Sequence, residues 1–234
     1  ETAHEYYNAT HADKIEKAEA QRIIKTAFQC LTKIDESRAV RNRMSLLEIT
    51  EIINDPEISV EKVDGVLELF RLQGNTFLKP FAHGTENEVL QLEAETVLDI
   101  THESLIRNWD ILQKWADEEH ENWLTFQDFN KQLQRWLTNG KASGFLLPIG
   151  ALTFFENWYN QCQPNKYWLA RYDDSTSSLK EKQSAAEKIL LEATEFIKSS
   201  SRRLFFSRTV LKFGAAKIIA VLGVVMLLAA CTFY

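Results

Sequence analysis

Apolar residues recur at helical spacing through the N-terminal part of the chain. The segments Ala12–Lys33 and Ser59–Gln73 both place apolar side chains three or four residues apart, as an amphipathic helix does. Between them, Ser45 precedes a further apolar segment and Glu48 follows three residues later, which is the pattern of a capping box. We therefore predict three consecutive helices, the second of which runs from Ser45 to about Asn54.

Short β-like stretches follow the third predicted helix. One is 77–81, and its partner is either 89–92 or 96–100. Three helices followed by a β-hairpin predict a winged helix-turn-helix. We interpret Asp35–Arg43, between the first two helices, as a polar loop, and we place the start of a fourth helix at Thr101.

The composition changes after the predicted hairpin. All six tryptophans lie between residues 109 and 168, and they recur at helical spacing with leucines and phenylalanines. Aromatic residues at this spacing are typical of a packed core, so we predict a Trp-rich helical domain. A polar linker, Asp173–Ser178, leads from this domain into another amphipathic segment, Leu179–Ser200.

The C-terminal part of the chain separates basic from apolar residues. From Arg202 to Lys217 there are five bases and no acids, so the rest of the chain holds 22 bases, all 33 acids and a net charge of −11. The 17 residues after Lys217 are uncharged, which is the short end of the length that spans a bilayer. The flanking bases then place the preceding residues in the cytoplasm. The alternative is a buried core helix.

These patterns predict a mainly helical fold in five parts. Residues 1–12 end an upstream region, and 13–110 form the winged helix with its small β-hairpin wing. Residues 111–178 form the helical domain, 179–213 a connecting helix, and 214–234 a C-terminal transmembrane helix. The sequence has no initiator methionine and stops inside the apolar run, so we expect it to be a piece of a longer protein.

Sequence signatures of catalytic and metal sites are missing from the chain. It contains no phosphate-binding loop, no Rossmann glycine turn and no nucleophile elbow. His102-Glu103 begins like a zinc-protease motif, but Ile106 stands where the second histidine ligand belongs. Three widely separated cysteines give neither a disulfide scaffold nor a cysteine zinc site. We expect no catalytic residue and no metal in this chain, and its net charge of −6 argues against a nucleic-acid partner.

The most informative stretch leads from an apolar segment into the fourth predicted helix. We predict Thr101 as the N-cap residue, which puts His102 in the first turn, where unpaired amides and the helix dipole favour an anion. A neutral imidazole can donate a hydrogen bond to a phosphate oxygen, and a nearby phosphate would raise the pKa of His102. The alternative is that His102 and Glu103 merely cap the helix. Arg107 either pairs with Glu103 one turn earlier or lies on the surface.

From about Ala20 to Thr209 the chain resembles the C-terminal half of the novel STAND NTPase module of bacteria. STAND proteins are signal-transducing ATPases with numerous domains. The strongest match is 98–115, LDITHESLIRNWDILQKW, in which an apolar strand leads into His-Glu-x-Leu-Ile-Arg-x-Trp. Weaker agreement lies in 20–31, 38–41, 168–172 and 192–199.

The resemblance implies a role for His102. In switch ATPases of this class, a histidine after the wing contacts the β-phosphate of bound ADP and locks the inactive state. His102 would be that sensor, supported by Thr101, Glu103 and Arg107. Related families often have Met-His-Asp where this chain has Thr101-His102-Glu103. The phosphate loop and the magnesium-binding acid would precede residue 1. ADP or ATP with magnesium would therefore bind to the longer parent protein, and this chain would not be an enzyme.

The resemblance also implies partners. Arg38, Arg41 and Arg43 either contact the upstream NTPase domain of the same polypeptide or are solvated. We expect the protein to lie at the cytoplasmic face of the inner membrane and to form a homo-oligomer on activation. Two other functions stay open, namely a membrane-anchored winged-helix DNA-binding regulator and a purely structural adaptor. The third predicted helix has more acids than bases, which disfavours DNA binding.

Overall fold

The computed structural model describes residues 17–35, 38–72, 74, 76–82 and 91–232, and for residues 206–232 it describes the backbone. This part of the chain is mainly helical and contains small antiparallel sheets, as predicted. The helices are α1 (Lys17–Cys30), α2 (Leu46–Ile53), α3 (Val60–Leu67), α4 (Glu103–Asn108), α5 (Asp110–Thr138), α6 (Ile149–Cys162), α7 (Lys166–Ala170) and α8 (Leu179–Thr232). The strands are β1 (Thr32–Asp35), β2 (Arg38–Arg41), β3 (Met44–Ser45), β4 (Leu78–Lys79) and β5 (Val97–Ile100), and short 3-10 helices lie at Glu68–Phe70 and Ser143–Phe145.

Side-chain caps fix the starts of α2 and α3. Ser45 Oγ accepts a hydrogen bond from the Glu48 amide at 3.2 Å, and the Ser45 amide donates to Glu48 Oε2 at 3.0 Å. Both halves of the predicted capping box are therefore present. Ser59 Oγ caps α3 by accepting from the Lys62 amide at 3.3 Å.

The predicted polar loop at 35–43 is wrong, because this segment contributes a strand to a two-stranded antiparallel sheet. β1 and β2 pair from Thr32 opposite Arg41 to Asp35 opposite Arg38. The same pairing ends α1 at Cys30 and not at the predicted Lys33. The polar composition hides these strands because each is only four residues long and no residue of β2 is fully buried.

A second sheet has the strand order β3–β5–β4, with all pairs antiparallel. Met44 lies opposite Leu98 and Leu78 opposite Ile100. The partner of the first predicted wing strand is therefore 97–100, within one of the two predicted alternatives. Leu98 and Ile100 are fully buried. The central strand β5 is therefore anchored in the core, and it ends two residues before His102.

A buried ion pair fixes the segments that flank β4. Arg71 Nη1 lies 2.6 Å from Asp64 Oδ1, and Arg71 Nε donates to the Pro80 carbonyl at 2.9 Å. The other oxygen of Asp64 accepts from the Leu92 amide at 2.9 Å. Burial lowers the pKa of the Arg71 guanidinium, while the charge of Asp64 opposes that shift. The pair therefore links α3 to the chain on both sides of β4.

The chain separates into two compact units. The first comprises residues 1–126 and 164–187, and the second comprises 127–163 and 188–234. In the first unit, Phe28 contacts Phe70 and Trp109 edge-on, each at 5.1 Å between ring centroids. Trp109 separates α4 from α5, so the single helix predicted from Thr101 is interrupted where this side chain enters the core.

Aromatic side chains also form the core of the second unit. Phe129 on α5 contacts Phe155 on α6 at 5.3 Å and Phe196 on α8 at 5.9 Å. Trp136 packs against Phe196 at 5.1 Å. The prediction that the tryptophans pack into a core is confirmed, because five of the six are buried: Trp109, Trp115, Trp136, Trp158 and Trp168.

The last helix, α8, continues without interruption from Leu179 to Thr232. The predicted transmembrane helix at 214–234 falls where the side chains lie outside the described residues. In the portion that the structure does describe, no helix has the length and apolar character needed to cross a membrane.

Candidate functional site

His102 occupies the N-cap position of α4, so the prediction of Thr101 as the N-cap residue is wrong by one position. The His102 backbone is extended, with φ −132° and ψ 131°, and its carbonyl accepts from the Leu105 amide at 3.0 Å. The Thr101 amide donates to the Phe77 carbonyl at 2.9 Å. Because this bond extends the sheet pairing by one residue, α4 begins at Glu103.

The His102 side chain is exposed and makes no capping hydrogen bond to α4. The neighbouring Thr101 hydroxyl is buried and has no hydrogen-bond partner within the described part of the chain. Amides of the first turn of α4 follow directly after His102 in the chain. This is the environment in which an imidazole and a helix start can together meet an anion.

Arg107 pairs with Glu103 across one turn of α4. Arg107 Nη2 lies 3.3 Å from Glu103 Oε1, and both side chains are exposed. An exposed pair at this spacing contributes about 0.3–0.5 kcal/mol. The carbonyl of Arg107 also accepts from Gln113 Nε2 at 2.9 Å, so the end of α4 is tied to the start of α5.

Asp99 on β5 forms ion pairs with two of the three arginines that we predicted as interdomain contacts. Arg43 Nε donates to Asp99 Oδ2 at 3.0 Å, and Arg41 Nη1 lies 3.6 Å from the same oxygen. Arg41 Nη1 also donates to the Ile100 carbonyl at 3.1 Å. Asp99 is only 8% exposed, and its Oδ1 is buried without a hydrogen-bond partner among the described residues. Arg41 and Arg43 thus compensate a buried charge, although the Arg43 side chain stays 73% exposed.

Sequence reasoning missed Asp99 although a signal was available. A carboxylate inside the apolar run Val97–Ile100 is costly to bury unless a cation compensates it. Its partners come from the 41–43 segment, which is distant in sequence. Only the pairing of β3 with β5 brings the two segments together.

Arg38 lines a cavity of about 420 Å³ in the first unit together with Glu103, Arg107 and Asp117. Ala39, Ile106 and Gln113 complete the lining. The structure therefore brings Arg38 next to two of the residues predicted to support His102. The cavity has two cations and two carboxylates, so it carries no marked charge preference. Across the residues described, no group of His, Cys, Asp and Glu side chains could hold a metal ion.

A second polar cluster lies in the core of the first unit. Glu119 Oε1 accepts from Trp168 Nε1 and from the Tyr172 hydroxyl, each at 2.6 Å, and lies 2.8 Å from Arg171 Nη2. Arg171 Nη1 donates to Cys30 Sγ at 3.6 Å. Burial would lower the pKa of Arg171, but Glu119 and the other partners raise it overall. Burial raises the pKa of Tyr172 and raises that of the Cys30 thiol to about 12.

Comparison with known proteins places the chain in a family. The family model described as Novel STAND NTPase 1 matches residues 1–144, which is more than half of the chain. The chain belongs to this family. No curated protein and no solved structure matches it significantly. In this novel STAND NTPase 1 member, the matched region includes β5, α4 and every predicted site residue from Arg38 to Arg107.

Proposed function

We propose that this chain is the regulatory portion of a STAND-type signal-transducing ATPase and that His102 senses the β-phosphate of ADP. The observation that carries the proposal is the exposed His102 imidazole, which makes no capping hydrogen bond and stands at the start of α4. Membership of the novel STAND NTPase 1 family supports the same reading. The nucleotide itself would be bound by an NTPase domain upstream in the same polypeptide.

The strand order supports the assignment of a winged helix to this portion. Helices α1 to α3 precede the wing strands β4 and β5, and β3 pairs on the other side of β5. His102 then follows the second wing strand. Because Leu98 and Ile100 anchor β5 in the core, a force on His102 would act on the whole winged helix and not on a loose loop.

The proposed mechanism is a difference in contacts between two nucleotide states. With ADP bound, His102 donates a hydrogen bond to the β-phosphate and keeps the winged helix against the NTPase domain. Exchange of ADP for ATP releases this contact and permits assembly or signalling. A ligand shifts such an equilibrium only by its differential affinity for the two states, so ADP must bind the closed state more tightly than ATP does.

Arginines near His102 would form part of the contact with the NTPase domain. Arg43 is largely exposed even though it pairs with Asp99, and Arg38 and Arg107 line one cavity. In this proposal the guanidinium groups meet carboxylates or phosphates of the NTPase domain. Attachment to the cytoplasmic face of a membrane and oligomerisation on activation are further parts of the proposal. Both rest on the sequence and the family resemblance.

The test is the retention of ADP by the longer polypeptide that contains the NTPase domain. His102→Ala should weaken ADP retention and cause activity without a signal. His120→Ala, at a half-buried histidine on α5, is the matched control and should leave retention unchanged. Unaltered ADP retention in the His102 variant would contradict the proposed sensing role. A purely structural adaptor predicts that nucleotide changes nothing in either protein.

The DNA-binding alternative gains no support from α3 and the residues after it. Lys62 pairs with Glu19, and Arg71 is buried on Asp64, so both cations of 60–71 are engaged within the protein. Glu61 is exposed on the same helix. A groove-binding helix needs cations available to phosphates. A salt-dependent gel shift with residues 12–200 would reverse this conclusion.

A further inference from the structure

Two segments of the second unit, the turn at 143–149 and residues 202–205 of α8, expose apolar side chains. Phe145 is 45% exposed and Ile149 46% exposed, and they bracket the turn that leads into α6. On α8, Phe205 is 69% exposed and follows the exposed residues Arg202 and Arg203. Exposed apolar side chains beside cations are typical of surfaces that bind partners or membranes.

Two hydrogen bonds join these segments into one surface. The Leu147 amide donates to the buried Ser200 Oγ at 3.1 Å, and Arg203 Nη1 donates to the Ser143 carbonyl. Ser200 and Arg203 are three residues apart and therefore lie on the same side of α8. The turn at 143–149 is thus fixed against the part of α8 that carries Arg202, Arg203 and Phe205. We name the turn at 143–149 together with Arg202, Arg203 and Phe205 the tip surface.

The charge of the surrounding chain has one sign. Residues 129–155 contain no Asp or Glu, and neither do residues 196–234. The nearest acid in the α8 sequence is Glu195, and it pairs with Lys141 at 2.6 Å. The cations of the tip surface therefore have no acidic neighbour along either segment, which suits an anionic partner.

We propose that the tip surface binds the headgroup layer of an anionic lipid bilayer. Phe145, Ile149 and Phe205 enter the interface, while Arg202 and Arg203 meet lipid phosphates. This inference rests on the membrane attachment in the proposed function, but it requires no spanning helix. Nucleic acid offers the same phosphates, and its bases stack on aromatic rings, but it has no apolar layer that would take up Ile149. A bilayer fits both halves of the surface.

The experiment measures hydrogen exchange of the full chain with and without lipid vesicles, together with flotation. On vesicles of phosphatidylcholine and phosphatidylserine, exchange of residues 141–149 should slow by roughly tenfold. On phosphatidylcholine alone the protection should be markedly smaller. Flotation reports attachment of the chain by any segment, whereas exchange at 141–149 reports the tip surface.

Three variants separate the contributions. The double substitution Phe145→Ser with Ile149→Ser should abolish the protection, and Arg202→Glu should reduce it on anionic vesicles only. Phe154→Ser is the control, because Phe154 is 58% exposed but lies roughly 140° around α6 from Ile149. This variant should keep full protection.

Several outcomes would overturn the inference. If the chain floats but residues 141–149 exchange as in solution, the tip surface is not a membrane contact, and attachment through another segment stands. If the chain does not float, the proposed membrane attachment fails as well. Protection that RNA produces without vesicles, or that rises with protein concentration alone, assigns the tip surface to nucleic acid or to a second copy.

Discussion

Arg171 and Glu119 form an ion pair of 2.8 Å inside the first unit, where their side chains are only 6% and 10% exposed. The carboxylate also accepts hydrogen bonds from Trp168 and Tyr172. Glu119 on α5 therefore binds both α7 and the turn that follows it. The Tyr172 ring stacks on Trp123 at 4.0 Å, which shields the pair from water and makes it sensitive to the loss of either charge.

Glu119→Gln should destabilise the chain strongly. The substitution keeps the size of the side chain but leaves the buried Arg171 charge uncompensated, so we expect a loss of about 3–5 kcal/mol in the free energy of unfolding. Urea unfolding followed by tryptophan fluorescence measures it. Glu118→Gln is the control, because Glu118 pairs with Lys25 in an exposed position, and it should cost less than about 1 kcal/mol. Equal losses in both variants would contradict this account.

Asp64→Asn should likewise destabilise the first unit, by about 3–5 kcal/mol, because Arg71 is fully buried against Asp64. Pairing Asp64→Leu with Arg71→Met removes both charges. This double variant should be more stable than Asp64→Asn in urea unfolding, since it removes the buried Arg71 charge together with that of Asp64. A double variant that is less stable than the single one would show that the hydrogen bonds to Pro80 and Leu92 matter more than the charges.

Asn165→Ala should lower stability by about 1–3 kcal/mol because this side chain serves two helix ends. Its Oδ1 accepts from the Tyr167 and Trp168 amides of α7, and its Nδ2 donates to the Glu51 and Ile52 carbonyls of α2. Asn165→Asp keeps the cap of α7 but replaces the donor with a carboxylate oxygen that faces the two α2 carbonyls, so it should also be less stable than the parent chain. Thermal unfolding ranks the variants, with the exposed Asn160→Ala as a neutral reference. An Asn165→Asp variant as stable as the parent chain would refute a role for the donor.

Alkaline pH should destabilise the chain through Cys30. Burial raises the pKa of its thiol from 9.0 to about 12, so the folded chain holds this proton more tightly than the unfolded chain. The resulting stabilisation is complete below pH 9 and disappears as the pH rises towards 12, with a slope of up to about 1.4 kcal/mol per pH unit. Urea unfolding between these pH values should show that the free energy of unfolding declines less steeply with pH in Cys30→Ala than in the parent chain. Cys162→Ala should follow the parent chain, and identical slopes in all three would exclude the effect.

Much of the helical framework follows from local sequence. The spacing of apolar residues predicts α1 to α3, and Ser45 with Glu48 predicts the start of α2, because capping is a contact between near neighbours in the chain. The tryptophan spacing predicts an aromatic core. The motif around His102 predicts the family, and the family model agrees.

The sequence by itself therefore determined most of the helical framework, one side-chain cap, the buried tryptophans and the family membership, all of which depend on local patterns of residues. Tertiary structure alone decided that Arg38–Arg41 forms a strand, that Thr101 stays in the sheet, and that Asp99 and Glu119 are the centres of the polar clusters. Thr101, Asp99 and Glu119 depend on partners far away in sequence, whereas Arg38–Arg41 pairs with the neighbouring strand Thr32–Asp35. A carboxylate can be buried only where a distant cation or donor meets it, and no local pattern records where that partner comes from.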